Sequence, residues 1–133
     1  MEHSKQFRKR AAILSCLRET VSHPSAEMVH QMLQAEHPDI SLATVYRNLA
    51  LFRQQGLVQC VGTVQGRERF DANIAPHVHF ICTQCAAVLD LPEIPVPRLV
   101  SDAARQEAVG SVSDCQLTFT GLCRACCAEE KPA

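Results

Sequence analysis

The sequence predicts an α+β chain with two domains, an N-terminal winged helix-turn-helix domain and a small C-terminal α/β domain with a four-cysteine zinc site. The first domain is indicated by three segments of helical periodicity, followed by two short strand-like segments joined by a turn. Two Cys-x-x-Cys pairs indicate the second, because four thiolates on two tight turns are the ligand set of structural zinc. The expected bounds are residues 1–72 for the first domain, 73–76 for a hinge and 77–133 for the second.

Composition and charge limit the class of protein. Of the 133 residues, 47% are hydrophobic but only 5% are aromatic, which predicts an aliphatic core. No apolar run has membrane length and the charged start does not resemble a signal peptide, so we expect a cytoplasmic protein with no membrane partner. Eight cysteines in a reducing compartment are metal ligands or free thiols more readily than disulfides. Residues 1–72 carry nine Lys or Arg against seven Asp or Glu, and residues 73–133 four against seven, so the positive charge that phosphate contacts need lies at the front.

The first domain contains three predicted helices. The first has an apolar stripe that includes Phe7 and Leu17. Ser25 and Ser41 are good N-caps for the second and third, and Gly56 is a natural stop after the third. The predicted helices are residues 6–20, 26–36 and 42–54.

A wing and a basic helix face complete this domain. Gln65-Gly66 can turn between strands at 57–64 and 67–71. The outward side of the third helix carries Arg, Asn and Tyr without an acidic residue, so it can lie in a major groove. An ordinary solvated helix face is the alternative. The helix order, the wing and the basic front favour the DNA interface.

The second domain is predicted to be too small for stability on its own. Strands are expected at 77–82, 87–91 and 112–122, and a helix at 98–109. The inner side of that helix is expected to carry Leu99, Val100, Ala103, Ala104 and Ala108. Because so few elements bury little apolar surface, zinc and a second copy of the chain are expected to supply part of the stability.

Two kinds of metal ligand meet near the first Cys-x-x-Cys pair. On a strand, His77 and His79 would share a face, so both imidazoles could bind one ion, although they could also be half-buried strand residues. The predicted zinc ligands are Cys82, Cys85, Cys123 and Cys126.

The run Ser41-Leu-Ala-Thr-Val-Tyr-Arg-Asn-Leu, then Arg69-Phe-Asp and His77-Val-His-Phe-Ile-Cys-Thr-Gln-Cys, closely resembles the ferric uptake regulator family, and the resemblance covers essentially the whole chain. It implies a dimeric, metal-dependent repressor, not an enzyme, whose winged helix binds an inverted-repeat DNA operator and whose C-terminal domain dimerises. The residues expected to contact DNA are Lys9, Arg10, Ser41, Thr44, Tyr46, Arg47 and Asn48.

Within that family the chain is most similar to the peroxide-sensing branch, which binds its regulatory metal through three histidines and two aspartates. Imidazole and carboxylate ligands suit Fe(II) and Mn(II), whereas four thiolates select zinc. The resemblance implies that Fe(II) would reduce hydrogen peroxide and generate an oxidant that attacks His23 or His77, whereas Mn(II) would be a corepressor without that reaction. The implied ligands are His23, Asp71, His77, His79 and Asp90.

Two features depart from the family pattern. The motif before the first core helix, usually Thr-x-Gln-Arg, reads Arg-Lys-Arg and keeps only Arg10, so operator affinity or preference is expected to differ. The glycine that commonly follows the first Cys-x-x-Cys pair is Ala86, and Cys127 beside Cys126 leaves two candidates for the fourth zinc ligand.

Four other functions fit parts of the sequence. An iron- or zinc-responsive regulator of the same fold differs from a peroxide sensor by one or two ligand types. A thiol redox sensor would act through the zinc cysteines. A disulfide oxidoreductase needs a Cys-x-x-Cys that opens a helix in a βαβ unit, whereas Cys82 and Cys85 follow a predicted strand. A metallohydrolase would need a general base beside the metal ligands, and the sequence suggests none.

Overall fold

The computed structural model describes residues 2–75 and 77–130 and divides the chain into two compact units, with the boundary between Ile74 and Ala75. The hinge expected at 73–76 ends with Pro76, which lies outside the described residues. Within the described part of the chain, no helix is both long and apolar enough to cross a bilayer. Each unit has its own sheet, of two strands in unit 1 and three in unit 2.

Unit 1 begins with three helices, α1 (Glu2–Glu19), α2 (Ala26–Leu33) and α3 (Leu42–Gln54). The predicted N-caps are confirmed: Ser25 Oγ accepts from the Met28 amide at 3.2 Å, and Ser41 Oγ accepts from the Thr44 amide at 3.1 Å. α3 has the predicted bounds. It is followed by Gly56 at a φ of 75°, a conformation that glycine adopts most easily.

Three predictions about the first two helices are wrong. α1 begins at Glu2 rather than at residue 6, because hydrophobic periodicity gives no signal in a polar first turn. α2 ends at Leu33 rather than at 36, since the His37 amide bonds to the Leu33 carbonyl at 2.7 Å and closes a turn. Phe7, predicted to be buried, is 66% exposed, because the part of α1 that packs on the core begins at Ala12.

The core of unit 1 lies between these helices and the strands that follow them. It is aliphatic apart from two phenylalanines, as the composition predicts, and Phe52 is its largest fully buried side chain. Burying one such side chain contributes about 1.5–3 kcal/mol to folding. Since α1, α2 and α3 all contribute side chains to the core, this burial holds the three helices together. Its members are Ile13, Leu17, Ala26, Val29, Leu33, Ile40, Val45, Leu49, Phe52, Val58 and Phe70.

The predicted wing is a hairpin of β1 (Gln59–Val64) and β2 (Arg67–Asp71), paired antiparallel. Gln65 and Gly66 both have positive φ, 52° and 79°, as a two-residue turn of type I′ requires. β1 begins two residues later than predicted, because the Leu57 amide bonds to the Phe52 carbonyl at 2.8 Å and completes the end of α3.

Unit 2 is built on a three-stranded sheet in the order β4-β3-β5. The central strand β3 (Val78–Cys82) pairs antiparallel with β4 (Val88–Leu91) and parallel with β5 (Thr118–Gly121). The first two strands are close to the predicted ranges. β5 is much shorter than the predicted 112–122, because β3 has only five residues and offers pairing partners over only part of that length.

The helices of unit 2 differ most from the prediction. α4 (Val96–Ala104) replaces the predicted helix at 98–109: Pro97 lies in its first turn, where a missing amide is tolerated, and the helix ends as the Gln106 amide bonds to the Ala103 carbonyl. α5 (Arg124–Glu130) has no counterpart among the predicted elements. The second Cys-x-x-Cys pair starts this helix, since the Cys127 amide bonds to the Cys123 carbonyl at 2.9 Å.

The predicted inner side of α4 is not buried within the chain. Val96 is buried, and Val100 is half-buried, but Leu99, Ala103 and Ala104 are exposed. Ala108, also predicted to be buried, lies beyond the end of the helix and is exposed. Periodicity identifies the apolar side of a helix but not whether the same chain covers it, and much of this side of α4 faces solvent.

Candidate metal centres and nucleic-acid interface

Four cysteines converge in unit 2. Cys82 ends β3 and Cys85 follows it, whereas Cys123 immediately precedes α5 and Cys126 lies on its first turn. Their sulfur atoms all lie within 4.8 Å of one another, and Cys85 Sγ is 3.8 Å from Cys123 Sγ. A tetrahedral zinc ion with bonds of about 2.3 Å places its sulfur ligands about 3.8 Å apart. The cluster therefore has the size of a closed four-thiolate zinc site.

The parallel pairing of β3 with β5 brings the two Cys-x-x-Cys pairs together. Cys82 is opposite Gly121, so both strands end at the same edge and both cysteine turns emerge there. The Thr83 amide donates to the Gly121 carbonyl at 2.8 Å and extends this link beyond the strand ends. The first turn is closed by the Ala86 amide, which donates to the Cys82 carbonyl at 3.1 Å. Ala86 has a φ of 65°.

Hydrogen bonds to sulfur favour a thiolate at one of the four cysteines. The amides of Cys85 and Cys123 donate to Cys82 Sγ at 3.5 and 3.4 Å and lower the pKa of Cys82 to about 6. The side chain of Cys123 raises the pKa of Cys126, because neighbouring sulfurs disfavour a second negative charge. Sulfur atoms this close together can all be thiolates when a cation lies among them, as a bound metal ion does.

The position of each sulfur distinguishes the two candidates for the fourth ligand. Cys126 is buried and its sulfur belongs to the cluster, whereas the neighbouring Cys127 is exposed and outside it. Consecutive residues of a helix point in different directions, so a helix that directs Cys126 inward directs Cys127 away. Burial raises the pKa of the half-buried thiols of Cys16 and Cys60 in unit 1, which suits small packed side chains.

His23 and Asp71 form a buried pair in unit 1. His23 Nε2 lies 3.1 Å from Asp71 Oδ2, and their side chains are 3% and 11% exposed. Asp71 is the last residue of β2, and His23 lies between α1 and α2 with a φ of 52°. Neighbouring ligands of an octahedral ion with bonds of about 2.1 Å lie about 3 Å apart. This pair has that spacing.

His77, His79 and Asp90 form a second group, in unit 2. His77 Nε2 and His79 Nε2 lie 3.1 and 3.3 Å from Asp90 Oδ1. His79 on β3 is directly opposite Asp90 on β4, and the two imidazole centroids are 4.2 Å apart. The Nδ1 atom of His77 is 2.6 Å from the Ala75 carbonyl oxygen, which leaves Nε2 as the nitrogen directed at Asp90. The imidazoles of His77 and His79 therefore face the same carboxylate.

The residues predicted to contact DNA lie on unit 1, mainly on α3. Tyr46 and Arg47 are exposed, and Thr44 and Asn48 are half-buried beside them. Arg10 on α1 donates to Asn48 Oδ1 at 3.2 Å, and Arg47 donates to Thr44 Oγ1 at 3.1 Å. These bonds fix polar side chains at the surface of the helix, where a groove edge or a phosphate can reach them.

A polar groove of about 550 Å³ lies between α1 and α3. Lys5 and Gln6 belong to it although sequence reasoning did not select them, and the signal for Lys5 is its position one helical turn before Lys9. Lys9 also lies 3.9 Å from Asp39, and Ser41 caps α3 outside the groove. The groove is lined by Lys5, Gln6, Lys9, Arg10, Thr44, Arg47, Asn48 and Leu51.

Glu27, which sequence reasoning also missed, joins α3 to the wing. The Tyr46 hydroxyl donates to Glu27 Oε1 at 2.6 Å, and Arg67 Nε lies 3.0 Å from Glu27 Oε2. The hydrogen bond between Tyr46 and Glu27 lowers the pKa of Glu27 and raises the pKa of Tyr46. Arg53 on α3 makes a second link, with Glu68 on β2 at 2.9 Å. The exposed side of α3 and the wing are thus connected by charged side chains.

A winged helix-turn-helix unit with a basic groove, followed by an α/β unit with clustered cysteine, histidine and aspartate side chains, defines a metal-responsive DNA-binding regulator. The family model of the ferric uptake regulator family matches residues 2–120. The chain therefore belongs to the ferric uptake regulator family, whose members are transcription regulators and not enzymes. The predicted family and fold class are confirmed.

Individual relatives agree with this assignment. The peroxide-responsive repressor PerR of Staphylococcus aureus is 32% identical over 118 residues, which cover 89% of this chain and 79% of that protein. The crystal structure of the Campylobacter jejuni peroxide stress regulator matches with a TM-score of 0.79 and 25% identity, over 94% of this chain and 93% of that one. The Helicobacter pylori ferric uptake regulator Fur also has a TM-score of 0.79, with 17% identity over 95% and 83% of the two chains, which shows the shared fold.

Proposed function

We propose that this chain is a metal-dependent transcriptional repressor that binds an inverted-repeat DNA operator as a homodimer and responds to hydrogen peroxide. The observation that carries the proposal is the pair of ligand groups with nitrogen and oxygen donors alone, His23 with Asp71, and His77 and His79 with Asp90. Such donors suit Fe(II) and Mn(II) better than the softer metals that thiolates select. The likeness to a peroxide-responsive repressor supports the choice of signal.

A structural zinc ion would be held by the four clustered cysteines. The sulfur spacing and the amides that stabilise the Cys82 thiolate support this assignment. Zinc with four protein ligands has no open position for a substrate, so its contribution is to the folding of unit 2.

One regulatory ion would take His23 and Asp71 from unit 1 and the remaining three ligands from unit 2. An ion bound in this way would fix the DNA-binding unit relative to the dimerising unit, and so the distance between the two recognition helices of a dimer. Operator half-sites lie about one helical turn, or a multiple, apart, so a fixed distance favours binding. The ion can shift this equilibrium only by its preference for the DNA-binding arrangement.

With Fe(II) bound there, hydrogen peroxide would oxidise a neighbouring imidazole: one peroxide oxygen would be added to the ring and the other would leave as water. Mn(II) would support DNA binding without that reaction. His23 and His77 are the imidazoles proposed to be oxidised. An imidazole that gains oxygen is a poorer ligand, so its group would release the ion and the repressor would leave the operator. His23 is buried within its unit, which restricts access to small oxidants.

DNA would be contacted by α3, the groove beside it and the wing. Tyr46, Arg47 and Asn48 would reach base edges or phosphates, because their side chains line the outward face of α3. Lys9 and Arg10 on α1 would bind the phosphate backbone. Ser41 and Thr44, at the start of α3, lie where a helix N-terminus favours a phosphate.

The homodimer would form through unit 2. Leu89, Leu99 and Phe119 are large apolar side chains that are 43%, 36% and 45% exposed in the single chain. A second copy that covered them would remove this apolar surface from water. The same second copy would cover the predicted inner side of α4, which is exposed in one chain.

The proposal is tested with purified protein loaded with Fe(II) and, as a matched control, with Mn(II). After treatment with a low concentration of hydrogen peroxide, mass spectrometry should find one added oxygen on His23 or His77 in the Fe(II) form. The Mn(II) form should be unmodified, and so should His30, which is outside both ligand groups. A gel shift with DNA selected from a random library should show loss of binding for the Fe(II) form alone.

Two other results would replace the peroxide assignment. Unmodified histidines with intact DNA binding would favour an iron- or zinc-responsive regulator. The second candidate is a thiol redox sensor that acts through the clustered cysteines, of which Cys85 is exposed. Zinc release that accompanies loss of DNA binding, with both histidines unmodified, would establish that candidate.

A further inference from the structure

Arg69 is a buried cation that none of the proposed metal or DNA contacts uses. It lies on β2, two residues before Asp71, and only 7% of it is exposed. Its Nε donates to the His23 carbonyl, and its Nη2 donates to the Ser22 carbonyl at 2.8 Å. A buried charge is costly unless it is hydrogen-bonded, and these two carbonyls supply hydrogen-bond partners for the guanidinium. The guanidinium therefore serves the turn that carries His23.

That turn has a backbone conformation that needs support. His23 has a φ of 52°, in the left-handed region that residues with a Cβ rarely adopt. On its other side, the Phe70 amide donates to the Pro24 carbonyl at 2.9 Å. Three consecutive carbonyls, those of Ser22, His23 and Pro24, thus accept hydrogen bonds from two adjacent residues of β2. The strand holds the turn along its whole length.

The alternation of side chains along β2 explains why Arg69 is suited to this task. Residues two apart on a strand share a face, so Arg69 and Asp71 point to the same side, whereas Phe70 between them packs in the core. Arg69 holds the backbone of His23, and Asp71 lies 3.1 Å from its imidazole. The strand β2 therefore both holds the backbone of the turn, through Arg69, and supplies the carboxylate of Asp71 that faces His23.

We infer that Arg69 is a positioning residue for the regulatory metal, because it fixes His23 in the conformation that directs Nε2 at Asp71. This inference rests on the proposed function. Without the guanidinium, the Ser22 and His23 carbonyls lose their donors and the turn can relax from the left-handed conformation. His23 would then have to be reordered each time an ion binds, and metal affinity would fall.

The test compares Arg69→Lys and Arg69→Gln with the wild-type chain. Mn(II) is titrated into zinc-loaded protein, and free Mn(II) is followed by electron paramagnetic resonance. Loss of a partner that orients a metal ligand typically lowers affinity about 10- to 100-fold. We expect a loss in that range for Arg69→Gln and a smaller one for Arg69→Lys, which keeps the charge and one donor. Thermal unfolding is measured beside each titration.

Arg53→Gln is the matched control. It breaks the 2.9 Å contact of Arg53 with Glu68, on the same strand as Arg69, without touching the turn of His23. It should therefore leave Mn(II) affinity unchanged. If the folded Arg69 variants bind Mn(II) as tightly as the wild type, Arg69 is only a stabilising residue and the inference is wrong. If the wild type itself binds no second ion, the proposed function fails first.

A measurement on the wild type covers the case in which both Arg69 variants fail to fold. Zn(II) added beyond the structural equivalent serves as a diamagnetic probe of the regulatory site in nitrogen-15 NMR. Binding should slow the exchange of the Arg69 Nε proton, which bonds to the His23 carbonyl, and should not affect the Arg53 side chain. An Arg69 Nε proton that exchanges at the same rate with and without the second ion would overturn the inference.

Discussion

Replacing Ala86 with glycine should tighten zinc binding. Ala86 has a φ of 65°, where a left-handed alanine costs about 1–2 kcal/mol. Glycine removes this cost but loses about 0.5–1 kcal/mol more chain entropy on folding, so the net gain is about 0.5–1 kcal/mol. The turn that Ala86 closes carries Cys82 and Cys85, and its formation is part of the free energy of metal binding. The zinc dissociation constant should therefore fall about two- to fivefold.

The assay is a competition titration of the zinc-loaded protein with a chromophoric chelator. Ala87→Gly is the matched control, because the φ of Ala87 is not positive and glycine there relieves nothing. It should weaken zinc binding by about 0.5–1 kcal/mol. If Ala86→Gly binds zinc no more tightly than the wild type, or if the two variants behave alike, the left-handed turn does not limit the site and this reasoning fails.

Three further predictions concern the cysteine cluster, the core of unit 1 and the link between α3 and the wing. Cys82→Ser should abolish stoichiometric zinc while Cys127→Ser retains it, as metal analysis of the purified proteins will show, because only the first removes a clustered sulfur. Phe52→Ala should cost about 3–5 kcal/mol in the free energy of unfolding, measured with urea by circular dichroism, because Phe52 is 1% exposed. Glu27→Gln should flatten the pH dependence of unfolding between about pH 5 and 3: the Tyr46 hydroxyl lowers the pKa of folded Glu27, so its contribution is present above the unfolded pKa and is lost as the pH falls.

The first unit was largely predictable because its signals are local. α3 has a serine cap, a clear apolar stripe and a glycine at its end, and all three act within a few residues. The Gln65-Gly66 turn is similarly determined by what two residues can adopt. The errors occur where local signals are absent, as in the polar first turn of α1, or where burial depends on a distant partner, as for Phe7.

The second unit was harder because its apolar residues are not all covered by its own chain. Periodicity identified a helix near Pro97, but the residues assigned to its inner side include exposed ones such as Leu99. The length of β5 is set by the strand it pairs with and not by its own composition. α5 was missed although it contains good helix formers such as Arg124 and Ala125, because seven residues are too few to show a helical period.

In the candidate sites, too, local sequence signals identified some residues and only the fold brought the others together. The four clustered cysteines were predicted from their spacing, but only the direction of α5 distinguishes Cys126, whose sulfur belongs to the cluster, from Cys127. His23 and Asp71 are far apart in sequence, and only the family resemblance suggested them before the structure placed them 3.1 Å apart. Arg69 belongs to the Arg69-Phe-Asp motif of the resemblance, but its contacts with the turn of His23 could not be predicted, because they are made to backbone carbonyls and leave no mark in residue type or periodicity.

The strand β2 gives a physical reason for metal and DNA to influence one another within unit 1. Near the wing turn, Arg67 contacts Glu27, which also holds the Tyr46 hydroxyl of α3. At its other end, the strand holds His23 through Arg69 and Asp71. Both sets of contacts lie on one strand of five residues, which pairs with β1 along its length. Coupling between two binding sites is reciprocal, so if the proposed metal raises DNA affinity, DNA at the wing raises metal affinity by the same factor.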